Sequence, residues 1–342
     1  RTHFNEERFI IQRINKRVFT RPEWIMDNML VLTDHVHRRL AREEDQADRI
    51  WQLPRVIPCK DGRVYYIDPE GEYWRAITLI ASATSYDRAQ GAEHALEIGT
   101  VLGQFHRLIS DLDPNLLKDT LPGFHVTPGY LARYDATLTT SGARGKLAAS
   151  MEAHRLSMFV EQRRAFVPTL EQAVAKGELH HRLIHGDPKV NNIMIDDITG
   201  KGTGIVDLDT VKPGLIHYDF GDALRSLCNP AGEEEEALHK VYFDVDLCEA
   251  FIKGYMEYAN DFLTEHDRQY LFDSIRMITF ELGLRFFQDY LAGDVYFKVR
   301  SPENNLNRAR VQFRLCESIE ARASMIRRAL ARADDIPSGS RR

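Results

Sequence analysis

The stretch RLIHGDPKVNNIMID, at residues 182–196, places a dense polar segment between apolar flanks. Eight consecutive residues of it, at 185–192, include one His, one Asp, one Lys and two Asn. A second stretch, GTGIVDLDT at residues 202–210, is a short apolar run that ends in two Asp separated by one Leu. The apolar parts predict two short strands, near 192–196 and 203–208, that carry these polar residues.

The spacing of these residues is typical of phosphoryl transfer, which needs mainly positioning and charge neutralisation. Asp187, followed by Asn192 and then by an apolar strand ending in Asp207, matches the catalytic and metal loops of kinases. We expect Asp187 to orient the acceptor hydroxyl and accept its proton, with Lys189 against the transferred phosphate. Asn192 and Asp207 are candidate Mg²⁺ ligands on the nucleotide phosphates, because Mg²⁺ favours such oxygens. Asp209 is a candidate for a second metal ligand, or for a hydrogen-bond acceptor that supports the metal ligands without touching the metal.

A structural interpretation of the same residues is that HGDP forms a turn and DLDT an exposed strand end. His185 is expected to support its loop through hydrogen bonds. A Ser-His-Asp triad is not indicated, because the sequence has no G-x-S-x-G motif.

Composition places the chain among globular proteins and excludes several partners. The 342 residues are 43% hydrophobic and 28% charged, enough for one large domain or two moderate ones. A net charge of −6 and a pI near 6.1 argue against nucleic acid as a partner. No apolar run approaches the ~18 residues of a membrane span. The four Cys are widely spaced, which favours reduced thiols and a cytoplasmic location.

Periodicity predicts an α+β fold with two unequal lobes. Residues 1–82 combine strands at 55–59, 64–68 and 73–80 with one amphipathic helix that begins near Thr20. The first fifteen residues predict two further short strands joined by a polar turn. Residues 83–342 are mainly helical, with helices predicted at 92–109, 150–176, 245–263, 267–291 and 304–332. A small antiparallel-sheet lobe would then face a larger helical lobe across a ligand-binding cleft.

At the motif residues the sequence resembles the aminoglycoside phosphotransferase and choline kinase superfamily, which has a protein-kinase-like fold. Within it, the sequence is most similar to the bacterial N-acetylhexosamine 1-kinases. The similarity extends over nearly the whole chain. The similar segments are FIIQRIN, WRAITLIASATSY, FHVTP, HGDPKVNN, VDLDTVKPGLIHYDFGDALR and GLRFFQDYLAGDVYF…SPENNLNRAR.

The resemblance implies that ATP and Mg²⁺ are used and that Asp187 acts as the base at the anomeric hydroxyl of a sugar. Arg285 in GLRF and Tyr296 in DVYF match positions that resemble sugar-contacting residues. An Arg and a Tyr suit sugar hydroxyls and an acetamide, which need hydrogen-bond donors and a flat apolar face. The alternative is a helix Arg paired with Glu281 or Asp289 and a Tyr in the core.

The resemblance also implies a hinge between the lobes that offers backbone groups to adenine. The hinge residues are Leu79, Ile80 and Ala81. Three features depart from the kinase pattern. The sequence begins around the second strand, so the first strand and the glycine-rich phosphate loop are not expected within the N-lobe at 1–82. Gln12 stands where protein kinases have a strand Lys, which leaves Arg13 as the candidate phosphate-binding cation. Ser226–Leu227 replace an aromatic residue near the sugar.

The leading hypothesis is therefore an ATP- and Mg²⁺-dependent kinase for the anomeric hydroxyl of N-acetylglucosamine or N-acetylgalactosamine. One alternative is a kinase for another small acceptor: a different sugar, an amino alcohol or an aminoglycoside. A cationic acceptor would require facing carboxylates, and the acidic run at 233–236 is interpreted as solvated surface. A second alternative, from another class, is a nucleotide-binding regulator without turnover.

Overall fold

A computed structural model describes residues 8–42 and 49–334. It shows small antiparallel sheets beside a larger helical part, which confirms the predicted α+β, kinase-like fold class. The strand predicted within residues 1–7 lies outside the described residues. The division into lobes at residue 82 remains a prediction.

The first sheet is antiparallel and is built around one central strand. Three strands pair with β4, and β1 and β2 lie on its two sides. The strands are β1 (Phe9–Arg13), β2 (Val56–Ile57), β3 (Tyr66–Ile67) and β4 (Tyr73–Thr78). Strands β3 and β4 form an antiparallel hairpin. On β1, Ile10 and Gln12 share one face and Arg13 points to the other, because side chains alternate along a strand.

Helix α1 (Pro22–Arg42) follows the first strand and closes the inner side of this sheet. Its buried positions recur at three and four residues, as the sequence predicted. They form one core with Ile77 of β4. The buried apolar residues of the helix are Ile25, Met26, Met29, Leu32 and Val36.

Two smaller sheets carry the polar motifs. One contains β5 (Ala83–Thr84), β7 (Ile193–Asp196) and β8 (Gly202–Ile205), and the other pairs β6 (Arg182–Ile184) with β9 (Lys212–Gly214). The two predicted strands are confirmed as β7 and β8, but the second ends at Ile205 rather than at 208. Its last predicted residues form a tight 3-10 turn, because the backbone becomes left-handed at Asp207.

Ten helices in the described chain make up most of the rest of the molecule. They are α2 (Ala92–Ile109), α3 (Thr127–Leu138), α4 (Ser141–Ala149), α5 (Met151–Glu161), α6 (Thr169–Ala175), α7 (Ile216–Leu227), α8 (Val245–Ala259), α9 (Glu265–Ala292), α10 (Asn304–Ala321) and α11 (Ala323–Asp334). The helix predicted at 304–332 is interrupted at Arg322. Helix α7 was missed because nearly all of it is buried, so it has no polar outer face. No helix among the described residues is long and apolar enough to cross a membrane.

Helices α2 and α8 pack with their backbones in close approach, and glycines make this possible. A Cβ at Gly99 would lie 2.1 Å from the carbonyl oxygen of Phe251. A Cβ at Gly103 would lie 2.4 Å from that of Tyr255. Neither position can accept a larger residue without separating the two helices.

The buried apolar side chains form two separate cores. The larger core joins α1, α2, α7, α8 and the small sheets. The second core contains side chains of α3, α4, α5 and α10 and of the C-terminal half of α9. Aromatic residues fill it, and Phe159 and Phe313 stack with ring centroids 4.5 Å apart.

Candidate active site

The catalytic loop, residues 185–192, leaves strand β6 through Gly186, a position where no other residue fits. Gly186 has a φ of +86°, and a Cβ there would lie 2.6 Å from the carbonyl oxygen of Thr210. Thr210 belongs to the metal loop, residues 206–210, and its hydroxyl donates to the carbonyl oxygen of His185 at 2.8 Å. The two polar motifs of the sequence therefore pack directly against each other.

His185 joins the same two loops, as predicted. Its Nε2 is 2.9 Å from the carbonyl oxygen of Val206, and its Nδ1 accepts from the amide of Asp187 at 3.3 Å. The ring is buried. These bonds confirm that His185 supports the loop.

A buried carboxylate on α7 holds the start of the catalytic loop. Asp219 accepts the amide of His185 at 2.6 Å on one oxygen and the amide of Gly186 at 2.8 Å on the other. Nε2 of His106, on α2, lies 2.9 Å from Asp219, and its Nδ1 lies 3.0 Å from the hydroxyl of Tyr255. The chain direction at the loop is thus fixed by a fully buried polar network.

A second buried pair holds the loop from the opposite side. His125, which has a left-handed backbone with φ 66°, contacts the carbonyl oxygen of Gly186 at 2.9 Å and Glu281 of α9 at 3.0 Å. Thr127 donates to the other oxygen of Glu281 at 2.8 Å. Burial opposes a charge on His125, but Glu281, with smaller contributions from Asp222 and the Gly186 carbonyl, raises its pKa.

Asp187 and Lys189 form an ion pair at the surface of the loop, with 2.9 Å between Oδ2 and Nζ. The carboxyl of Asp187 is 28% exposed, so it is open to a ligand on one side. Burial and the charge of Asp222 raise the pKa of Asp187, while Lys189 opposes the shift. A carboxylate with a raised pKa is a better proton acceptor, which suits a general base.

Asn192 and Asp207 lie on adjacent strand ends, so the structure brings the two proposed magnesium ligands to one place. The amide of Val206 donates to the carbonyl oxygen of Asn192 at 2.9 Å, which sets Asp207 beside it. The side-chain nitrogen of Asn192 donates to the Asp187 carbonyl at 2.7 Å, which leaves its oxygen for a cation. Asp207 is exposed and left-handed, with φ 64° and ψ 57°.

The donor set fits a magnesium ion that a nucleotide carries. Mg²⁺ usually takes one or two carboxylates together with phosphate oxygens and waters. Within residues 8–42 and 49–334 no group of three His, Cys, Asp or Glu side chains could hold a metal. One amide oxygen and one carboxylate would therefore hold the ion together with phosphate.

Asp209 forms an ion pair with Arg75, a residue that was not predicted from the sequence to belong to the site. Nη1 of Arg75, on β4, lies 2.5 Å from Asp209, and Nη2 of Arg75 donates to Gln12 at 2.9 Å. Arg75 and the carboxylate are both largely buried. Burial and the nearby Asp207 raise the pKa of Asp209, and Arg75 acts against the shift. The structure thus places Asp209 in an ion pair with the first sheet.

Arg13, in contrast, is not brought to this site. It follows Gln12 on β1 and points to the opposite face of the sheet from Gln12 and Arg75. Its role as a phosphate-binding group remains a prediction without geometric support. The signal that could have identified Arg75 is a lone Arg at an inward position of the apolar strand YWRAIT.

The predicted hinge follows β4 directly and leads into β5. Ile80 is buried, and Leu79 and Ala81 are exposed. Beyond it, Ser82 has a left-handed backbone with φ 55°, and its carbonyl accepts from the amide of Asp197 at 2.9 Å. The segment therefore connects the first sheet to the sheet that carries β7.

Arg285, on α9, is surrounded by aromatic rings, and its side chain is only 12% exposed. Its guanidinium lies 5.2 Å from the ring centre of Phe124, 5.0 Å from Tyr130 and 5.5 Å from Phe297. The closest approach to Glu281 is 4.0 Å, so the predicted helix ion pair is a weak contact. Burial raises the pKa of Tyr130 to about 12, which keeps its hydroxyl protonated as a donor. Tyr130 was not identified from the sequence.

Tyr296 lies in a loop that Asp289 organises. The Asp289 carboxylate accepts the backbone amides of Val295, Tyr296 and Phe297 at 2.8 to 3.0 Å. The Tyr296 side chain is 63% exposed, which excludes the alternative that it fills the core. The loop presents this ring to solvent close to Phe297, which in turn packs on Arg285.

The acidic run at 233–236 is only partly solvated, contrary to the sequence interpretation. Glu233 is half-buried, and it accepts from Arg225 at 2.7 Å and lies 3.5 Å from Arg308. Glu234 and Glu236 are exposed, as expected. Glu233 differs because the buried cation of Arg225 on α7 draws it inward.

The sequence of residues 23–251 matches the family model of phosphotransferase enzymes. The chain belongs to the phosphotransferase enzyme family. The matched span contains the catalytic and metal loops and ends before α9, so it does not include Arg285 or Tyr296. The two loops therefore lie within the family match, whereas the region around Arg285 lies outside it.

Several solved structures share the fold of this phosphotransferase at low identity. A microcompartment-associated aminopropanol kinase is 16% identical, with a TM-score of 0.55 over 94% of this chain and 88% of that chain. An aminoglycoside phosphotransferase from Alicyclobacillus acidocaldarius is 14% identical, with a TM-score of 0.54 over 95% and 88%. A spectinomycin phosphotransferase, solved with ADP and spectinomycin, is 12% identical, with a TM-score of 0.50 over 94% and 87%.

Proposed function

We propose that this phosphotransferase is an ATP- and Mg²⁺-dependent small-molecule kinase that phosphorylates the anomeric hydroxyl of an N-acetylhexosamine. The observation that carries the choice of acceptor is the position of Arg285, whose side chain is 12% exposed, among three aromatic rings. Aromatic faces suit the apolar side of a sugar ring, and Arg and Tyr donors suit hydroxyl and acetamide oxygens.

Asp187 acts as the base in this mechanism. It accepts the proton of the acceptor hydroxyl as that oxygen attacks the terminal phosphate, and Lys189 stabilises charge beside it. Asn192 and Asp207 would hold Mg²⁺, which neutralises the phosphate oxygens when bound. A direct in-line transfer needs no covalent enzyme intermediate, because positioning and electrostatics suffice.

The charges near Arg285 favour a neutral acceptor over an amino alcohol or an aminoglycoside. Three carboxylates in this region are each matched by a cationic partner. The pairs are Asp222 with Arg225, Glu233 with Arg225 and Arg308, and Glu281 with His125. A cationic acceptor would also meet the positive charge of Arg285, and that contact is unfavourable in a partly buried site.

The nucleotide is proposed to bind at the hinge residues 79–81, with its phosphates directed toward the metal loop. The structure of a spectinomycin phosphotransferase with ADP supports a nucleotide co-substrate for a protein of this fold. Arg75, through its ion pair with Asp209, connects the first sheet to the metal loop.

The test is turnover with Mg-ATP and a panel of acceptors: N-acetylglucosamine, N-acetylgalactosamine, glucose, choline, aminopropanol and an aminoglycoside. ADP release is followed, and the product is examined by ³¹P NMR for phosphate on the anomeric carbon. Asp187→Asn, an isosteric change without a basic carboxylate, serves as the matched inactive control. Turnover of an N-acetylhexosamine that this variant lacks is the expected result.

The other outcomes separate the alternatives. Turnover of only an amino alcohol or an aminoglycoside would keep the role of Asp187 and reject the sugar assignment. Mg-ATP binding without turnover of any acceptor would reject the kinase and leave the nucleotide-binding regulator.

A further inference from the structure

Helix α7 presents a row of polar side chains along the catalytic loop. Asp219, Asp222 and Ser226 follow one another at three and four residues, so they share one face of the helix. Asp219 accepts the amides at the start of the loop, and the Ser226 hydroxyl accepts the amide of Val190 near its end at 3.4 Å. Asp222 lies between these two contacts and therefore faces the segment that carries Asp187.

Asp222 has one oxygen committed and one oxygen without a partner. Oδ1 accepts from Nε of Arg225 at 2.8 Å. Oδ2 is buried and has no hydrogen-bond partner among the described residues, although the residue is only 5% exposed. A buried carboxylate oxygen without a donor is costly and usually marks a water or a ligand.

The charge of Asp222 interacts with charged groups of the catalytic loop and of α9. The charge of Asp222 acts on Asp187 and Lys189 of the catalytic loop. It also acts on His125 and on Arg285. Asp222 therefore interacts with the charges of the base and of Arg285, and its helix face lies along the catalytic loop.

We propose that Asp222 binds the acceptor, with Oδ2 accepting a hydrogen bond from a hydroxyl or N–H group next to the phosphorylated hydroxyl. This inference rests on the proposed kinase function. Because Arg225 balances the charge of Asp222, the free oxygen suits a neutral donor rather than an ammonium group.

The direct test is Asp222→Asn, assayed with whichever acceptor the panel identifies. Asn can still offer an oxygen to Arg225, but its nitrogen cannot accept a hydrogen bond in place of Oδ2. We expect the KM for the acceptor to rise about 10- to 100-fold, as for loss of a buried hydrogen bond to a substrate. The KM for ATP should change less than about two-fold, because the nucleotide contacts are untouched.

Deoxy and N-modified analogues of the acceptor identify the bonded group. The wild-type enzyme should lose kcat/KM with one analogue, and Asp222→Asn should treat that analogue and the parent acceptor alike. Arg225→Lys is the matched control, since it disturbs the ion pair but keeps Oδ2. It should leave the acceptor KM within about three-fold of wild type, because the proposed acceptor contact remains.

Results that overturn the proposal are distinct from failure of the kinase function. An unchanged acceptor KM and unchanged analogue discrimination in Asp222→Asn would overturn it. So would equal rises of the acceptor KM in Asp222→Asn and Arg225→Lys, which would show a purely structural ion pair. If Asp222→Asn does not fold, the double variant Asp222→Asn with Arg225→Gln replaces the buried charges with neutral amides and receives the same assays. Failure of every acceptor with wild-type enzyme would instead reject the proposed function.

Discussion

The left-handed backbone of Asp207 predicts that one substitution at this position will raise the stability of the fold and lower the activity. Outside glycine, this conformation costs roughly 1–2 kcal/mol, because Cβ crowds the following carbonyl. Asp207 has φ 64° and ψ 57°, its side chain is exposed, and it makes no cap hydrogen bond. No packing or hydrogen bond of the Asp207 side chain in the described structure offsets the strain, as is common at functional sites.

Replacing Asp207 with Gly should therefore remove the strain. Gly loses about 0.5–1 kcal/mol more chain entropy on folding, so the net gain in unfolding free energy is about 0–1.5 kcal/mol. The matched control is Asp207→Ala, which loses the same carboxylate but keeps a Cβ in the left-handed region. The Gly variant should be more stable than the Ala variant by about 1 kcal/mol.

The assay is urea unfolding of the three proteins combined with Mg²⁺-dependent turnover. Both variants should lose about 100-fold or more in kcat, because they lack the proposed carboxylate ligand of the Mg²⁺ that neutralises the phosphate oxygens. A Gly variant less stable than the Ala variant would refute the strain argument. A Gly variant with wild-type turnover would refute the role of Asp207 as a metal ligand.

Three further predictions concern the packing and the buried ion pairs. The pKa of His125 is raised in the folded protein, so its charge stabilises the fold fully below the ordinary pKa of 6.5. This contribution to stability is lost as pH rises through the folded pKa. Urea midpoints measured between about pH 6 and about pH 9 should therefore fall with pH in wild type and stay flatter in Glu281→Gln. Gly103→Ala should lower the unfolding free energy by about 1–3 kcal/mol or more, whereas Gly142→Ala, where a Cβ meets nothing within 4 Å, should raise it slightly in the same measurement. Arg75→Met leaves a buried carboxylate unpaired and should cost about 3–5 kcal/mol in urea unfolding; a loss below about 1 kcal/mol would show that this ion pair is not a buried one.

The proximity of the proposed phosphoryl-transfer residues was predictable because they are close together in sequence. Asp187, Lys189 and Asn192 occupy one loop, and Asp207 follows a short strand that pairs with the strand after the loop. Local spacing therefore determined which side chains meet. The left-handed backbone at Asp207 was not predictable, because Asp is compatible with several conformations at a strand end.

The groups that hold the loop were not predictable in the same way. His125 and Glu281 are 156 residues apart, and they meet only because α9 passes behind the catalytic loop. Helix α7 escaped detection because Asp219 and Asp222 are buried, whereas periodicity arguments treat such residues as the outer face. Long-range burial of polar residues is decided by the tertiary fold and leaves little local trace in sequence.

The two separate cores give this fold a means of changing acceptors during evolution. The catalytic and metal loops rest on the larger core, whereas Arg285 and the loop of Tyr296 are carried by elements of the second core. Substitutions among the aromatic side chains of the second core can reshape the acceptor side while the machinery of phosphoryl transfer keeps its support. Under the proposed function, substitutions in the second core would change substrate preference, whereas the catalytic loop and Asp222 of α7 would keep the support of the larger core.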